Sequence, residues 1–166
     1  MKRIFGLILL ACFHSWAVAQ EERVIAGTYT IKVGWGLKPV LADTLNAFEL
    51  QLFDASGNPV SDHTVELSVK ALYLREESFD SVVVAARHLE APVIRSEAEP
   101  HRYRIYFVPT RPGPYGFHVM GSIGDMRFDE FFVCGAGSQD PDKSSFACVE
   151  RAQRFPGGRL EERRLR

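Results

Sequence analysis

His118 and Met120 come closest, in type and spacing, to residues that could do chemistry in this chain. They stand two apart in Tyr115-Gly-Phe-His-Val-Met120, opposite an apolar set of Tyr115, Phe117 and Val119. Such alternation marks a half-buried strand, and same-face residues at i and i+2 lie about 7 Å apart. An imidazole and a thioether at that separation can reach one soft ion such as Cu(I). The preferred reading is plainer: both side chains cover an outer sheet face, where a cross-strand His–carboxylate pair contributes a few tenths of a kcal/mol. An even-length loop at Ser122–Asp125 sets His118 opposite Asp129 and Met120 opposite Arg127. Met126, Phe128 and Phe132 then point to the core, so Met126 is no third ligand.

The other candidates are weaker. His63 follows the turn residue Asp62, and His88 and His101 lie near Glu90 and Glu99; all three are expected at the surface. Asp140-Pro-Asp142 offers carboxylates without the alternating oxygen ligands of a calcium loop. No Ser or Cys in a nucleophile elbow, no HExxH and no phosphate loop is present, so an enzyme is not expected. No resident cofactor is expected either, copper at His118 and Met120 being the one alternative.

The elements that must position these residues read as strands. Arg102–Val108 alternates Tyr103, Ile105 and Phe107 against Arg102 and Arg104. Pro109-Thr-Arg-Pro-Gly-Pro114 stops it, because each proline removes an N–H donor. Tyr115–Met120 follows, then a tight Gly121-Ser-Ile-Gly-Asp125 connection and Met126–Val133. Upstream, Thr28–Val33, Asn46–Phe53 and Val65–Leu74 alternate in the same way, with a slip at Ala71-Leu-Tyr-Leu74 that predicts a bulge or a change of sheet. Trp35, between two glycines, is expected to fold onto an open end of the core. Ser81–Ala86 and Ala91–Arg95 are further short strands, Pro92 marking an edge; a helix over Phe79–Leu89 is the alternative that Val82-Val-Val84 disfavours. Pro-Gly-x-Tyr-x-Phe at the start of Tyr115–Met120 is similar to the tyrosine corner of Greek-key sandwiches. The expected fold is all-β, an immunoglobulin-like Greek-key β-sandwich of about seven strands.

Lys2 and Arg3, the apolar run Ile4–Phe13 and Ala17-Val-Ala19 predict a signal peptide over 1–19, cleaved before Gln20. Leu9-Leu-Ala-Cys12 as a lipoprotein site is the alternative. No later run is long enough for a membrane helix, so the expected location is the periplasm or the outside. Export leaves Cys134 and Cys148 as an even pair, which reads as a disulfide. The expected domain is therefore 20–134, followed by a tied loop and a basic tail over 135–166. Residues 151–166 hold six Arg and two Glu, and Lys2 and Arg3 lie in the leader, so 20–150 carries −7 of a total of −1. An acidic domain with a basic tail is a poor nucleic-acid binder. The tail reads as a disordered, solubilising end, with contact to anionic lipid as its alternative. A hydrophobic content of 46% is enough for a folded core.

Tyr29-Thr-Ile-Lys-Val-Gly-Trp35, Pro39, Asn46-Ala47, Gly57-Asn-Pro-Val60, Pro112-Gly113, Tyr115, Phe117, Gly121, Asp129-Glu130 and Phe132 together resemble a group of small exported bacterial immunoglobulin-like proteins. The resemblance covers about residues 24–134, and members of the group often accompany copper-handling proteins of the cell envelope. Lys38, where an acidic residue is usual, and the Cys134–Cys148 tail depart from that pattern. The resemblance implies a non-catalytic binding or accessory module whose partner is another envelope protein. A direct copper carrier through His118 and Met120 and a purely structural or adhesive module are the alternatives. The expected partner footprint centres on His118, Met120, Arg127 and Asp129.

Overall fold

The alternating runs fold as strands, and no helix occurs among the described residues. The computed structural model describes residues 20–25, 27–60, 64–76, 82–135 and 146–152. The expected leader with Cys12, and His63, Asp140, Asp142 and the basic tail from 153 onward, lie outside them. The strands are β1 (Glu21–Ile25), β2 (Tyr29–Trp35), β3 (Asn46–Phe53), β4 (Val65–Glu76), β5 (Val82–Glu90), β6 (Ile94–Arg95), β7 (Arg102–Phe107), β8 (Tyr115–Ile123) and β9 (Met126–Val133). They form two antiparallel sheets, ordered β1-β2-β3-β7-β6 and β5-β4-β8-β9. The all-β sandwich is therefore as expected, with nine strands among the described residues in place of about seven. β5 is a strand where a helix was the alternative, and the short β6 lies at a sheet edge. β1 was not foreseen.

One core lies between the sheets. Ile31, Val33, Phe48, Leu50, Leu52, Tyr103 and Ile105 meet Val69, Phe117, Val119, Phe128 and Phe132 from the facing sheet. Phe48 and Phe117 stack across the gap with centroids 3.8 Å apart. Trp35 closes one end, as expected, its ring 5.4 Å from Phe117. The Trp35 indole N–H donates to the Ala147 carbonyl at 2.6 Å. Phe146, from the segment read as loop, is fully buried beside Trp35, Phe48 and Phe117. The slip in β4 is a bulge against β5 between Leu72 and Leu74, while its pairing with β8 runs unbroken from Val65 to Tyr73.

The register of β8 and β9 departs from the expected one. β8 runs on to Ile123, which pairs with Met126 across a two-residue Gly124-Asp125 turn. Gly124 has a φ of 58°, the left-handed value such hairpin turns require. His118 therefore lies opposite Phe131, Met120 opposite Asp129, and Arg127 opposite Ser122. Ile123 and Phe128 are both buried, and the two-residue shift keeps every residue of β9 on the face that alternation assigns it. Gly121 sits inside the strand because the chain is too close for a side chain: a Cβ there would come within 2.4 Å of the Glu66 carbonyl oxygen. Gly121→Ala should force the β4–β8 backbones apart and lower the denaturant-derived stability by about 2 kcal/mol. A loss below about 0.5 kcal/mol would show that the backbone yields freely.

The outer edges of the two sheets are tied together by charge. Glu21 and Arg23 sit on the core-facing side of β1, and Glu130 on that of β9. Arg23 pairs with Glu21 and, at 3.1 Å, with Glu130, while its guanidinium covers the Phe132 ring at 4.4 Å. Inward-pointing charges on edge strands oppose the addition of a further strand. They also hid β1 from the sequence, because its core face carries Glu and Arg in place of apolar residues.

Two buried tyrosines make a matched pair. The Tyr115 hydroxyl donates to the Arg111 carbonyl at 3.0 Å, the bond that defines a tyrosine corner. The Tyr103 hydroxyl is buried with no hydrogen-bond partner. Burial pushes both phenols above their ordinary pKa, and at Tyr115 the bond to Arg111 opposes that rise. A made bond contributes about 1 kcal/mol net, whereas an unpaired buried hydroxyl costs. Tyr115→Phe should therefore lose about 1 kcal/mol in urea unfolding, and Tyr103→Phe should lose nothing or gain. The reverse order would contradict this assignment.

Candidate functional site on the outer face of the four-stranded sheet

Strand alternation puts His118 and Met120 on the solvent side of β8, between β4 and β9. Lys70 and Ser68 lie opposite them on β4, and Phe131 and Asp129 on β9. The expected direct pairing of His118 with Asp129 is replaced by a diagonal one. His118 Nε2 reaches Asp129 Oδ1 at 2.5 Å although its cross-strand neighbour is Phe131. Diagonal neighbours on one face stay within reach of such side chains. Met120, expected opposite Arg127, is directly opposite Asp129. The two-residue shift thus gathers imidazole, thioether and carboxylate, and moves Arg127 away to the turn.

The surroundings are partly apolar and partly ionic. Phe131, about a third exposed, lies edge-on to the His118 ring with centroids 6.5 Å apart. It covers Gly116, where a Cβ would meet its Cζ at 2.6 Å. On β4, Lys70 Nζ is 3.0 Å from Glu90 Oε1, and His88 Nε2 is 3.8 Å from the same oxygen. The hydrogen bond and charge of Lys70 hold the exposed Glu90 carboxyl below its ordinary range. Lys70 is thereby engaged, which leaves Asp129 as the carboxylate His118 meets.

Chemically, the face presents one nitrogen, one sulfur and one carboxylate donor in the open. No three His, Cys, Asp or Glu side chains gather as a metal site among the described residues, so a three-donor set here depends on the Met120 thioether. His88 is exposed on β5. His101 lies in the approach to β7, its ring 5.4 Å from Phe53. Cys134 and Cys148 form the expected disulfide, with Cα atoms 4.9 Å apart. It sits just past β9, where the Tyr115 N–H also donates to Cys134 Sγ.

The sequence did not reveal a second charged cluster, on the outer face of the five-stranded sheet. Glu49 on β3 is nearly buried beneath its own partners. Arg104 bonds it from Nε and a terminal nitrogen, both at 2.7 Å, and Gln51 Nε2 donates to it at 3.1 Å. Arg102 Nε is 3.4 Å away, close enough for an ion pair but not hydrogen bonded. Alternation had placed these residues outward; only the Glu49–Arg104 register brings them together. No known protein family and no curated protein matches this sequence.

Proposed function

We propose that this chain is an exported, non-catalytic immunoglobulin-like module of the bacterial cell envelope. It docks another envelope protein through the outer face of β4, β8 and β9 and serves copper handling there. The observation that carries this reading is the exposed grouping of Phe131, His118, Met120 and Asp129, an aromatic anchor beside a carboxylate-held imidazole. Aromatic anchors ringed by polar groups are the usual centres of protein interfaces. The closed Cys134–Cys148 disulfide supports an oxidising compartment. The copper association rests on the resemblance of the chain to its exported immunoglobulin-like group.

The test is copper tolerance of a strain lacking this protein. Wild type should restore tolerance, and a His118→Ala/Asp129→Ala variant with unchanged melting should not. Equal complementation by both, or no copper phenotype on deletion, would refute the reading.

The grouping of Asp129 with His118 and Met120 favours a second reading, direct metal binding, because it adds a third donor to two. Soft thioether and imidazole ligands select Cu(I). On the docking reading, Cu(I) competition titration should find wild type and His118→Ala/Met120→Ala equally weak. A loss of orders of magnitude in the double variant would establish the carrier instead.

A further inference from the structure

Three loops meet at the Trp35 end of the sandwich and bond to one another there. The Glu150 N–H donates to the Val40 carbonyl, and the Ala42 N–H to that of Glu150, both at 2.8 Å. The Asp43 N–H donates to the Pro109 carbonyl at 2.7 Å, and Gly113 and Val149 exchange two bonds. Residues 36–45, 109–114 and 147–152 therefore form one platform, which the buried Trp35 also bonds through Ala147. Each loop exposes one cation: Lys38, Arg111 and Arg151. None of the three makes an ion pair among the described residues. The carboxylates of the platform are Asp43 and Glu150. The chain leaves the platform at Ala152, and residues 153–166 hold five Arg and two Glu, with Phe155, Leu160 and Leu165 among them. Platform and tail together carry eight Lys and Arg against four Asp and Glu, a net charge of +4. The rest of the chain after residue 19 carries −7.

We propose that this end of the molecule docks on an anionic phospholipid bilayer. Free cations at one end of an otherwise acidic molecule turn that end toward negative charge. At a lipid surface each Lys or Arg that comes close contributes about 1 kcal/mol. The composition of the tail alone also suits a solubilising end. What separates the two readings is the ground the tail leaves from, where each of three bonded loops adds a further cation. Apolar side chains separate lipid from an acidic protein as the occupant. Exposed Leu37 adjoins Lys38 in the chain, and exposed Leu45 and Val108 flank the Asp43–Pro109 bond. A bilayer surface takes both kinds of group at once: phosphates meet the cations, and the headgroup layer admits apolar side chains. The carboxylates of an acidic protein meet only the cations. Because the platform lies at the strand ends, docking leaves the outer face of β4, β8 and β9 open. The inference is independent of copper and of what that face binds.

Vesicle flotation of the disulfide-intact chain beginning at Gln20 tests this. At low salt it should float with vesicles of phosphatidylglycerol and phosphatidylcholine in equal parts, and not with phosphatidylcholine alone. Sodium chloride at about 0.5 M should release it. A chain ending at Ala152 should bind about a hundredfold more weakly, and Lys38→Ser/Arg151→Ser about tenfold more weakly, each with an unchanged thermal midpoint. His118→Ala/Asp129→Ala, on the side of the sandwich, should float like wild type. Failure to float with the anionic vesicles overturns the proposal. So does equal flotation with neutral vesicles, or flotation untouched by loss of the tail and of the two cations. Capture on immobilised polyglutamate without flotation overturns it too, and assigns the platform to an acidic protein.

Discussion

Phe146→Ala should lower the stability of the sandwich by about 4 kcal/mol, the size expected for deleting a buried aromatic ring from a core. The ring has no exposed surface, and its centroid lies 6.2 Å from Trp35 and 6.0 Å from both Phe48 and Phe117. Removing it opens a void where the two sheets and Trp35 converge, and the stacked Phe48–Phe117 pair offers little room for collapse. At about 3 °C per kcal/mol for a chain of this size, the thermal midpoint should drop by about 12 °C. Phe146→Leu, which keeps most of the volume, should cost only about 1 kcal/mol. Because Trp35 is the sole tryptophan after residue 19, its emission should also shift to the red in the Ala variant. A loss under about 1 kcal/mol would mean that Phe146 is dispensable to the core.

That ring also marks where the sequence stops being legible. Strands β2, β3, β4 and β7 are legible because each alternates apolar and polar residues over five or more positions. Trp35 was readable as an end cap because the flanking glycines set it apart. Phe146 stands alone amid Asp, Pro, Ser and Lys, so no period reveals it; only the disulfide and the return of the chain to Gly113 and Val40 bring it inside. β1 was hidden for the opposite reason, since its core-facing Glu21 and Arg23 imitate a solvent face.

The site was half legible, and the missing half lies in one turn. Gly121-Ser-Ile-Gly-Asp125 carries two glycines, and by residue type the first belongs to the turn. It is in fact the point where β8 passes too close to β4 for any side chain. That single assignment moved every β9 partner by two residues. His118 kept Asp129 only because the pair is long enough to bond diagonally, and Met120 exchanged an arginine for that same aspartate. Alternation fixes which face a residue occupies, but not which neighbour it meets there. The same limit applies to Glu49 and Arg104, both read as outward, neither read as a pair.

The two outer faces hold their charged groups differently. Around Glu49 the charges are closed on one another. Around His118 the groups are open, with the Asp129 side chain about two-thirds exposed and the aromatic Phe131 beside it. An exposed His–Asp pair contributes little to stability. Its substitution should therefore change binding without changing the melt, the property that makes the complementation experiment interpretable.

Removing the disulfide should separate chain entropy from packing. Cys134 and Cys148 are 14 residues apart in sequence, and a loop of that size is worth about 3 kcal/mol in the unfolded chain. The segment they tie down does not rest on them alone. Gly135 donates to the Phe146 carbonyl, Gly113 and Val149 exchange two bonds, Glu150 donates to Val40, and Ala42 donates to Glu150. Trp35 adds its bond to Ala147, and Phe146 and Val149 are both core residues. With so many contacts, Cys134→Ala/Cys148→Ala should stay folded with the aromatic plug seated. Its native Trp35 emission should match wild type while its stability falls by about 3 kcal/mol. Combined with Phe146→Ala, the two losses should add within about 0.5 kcal/mol, because one acts on the unfolded chain and the other on the native core. A red-shifted native emission and a combined loss well short of the sum would show the reverse: that the disulfide is what keeps Phe146 in place.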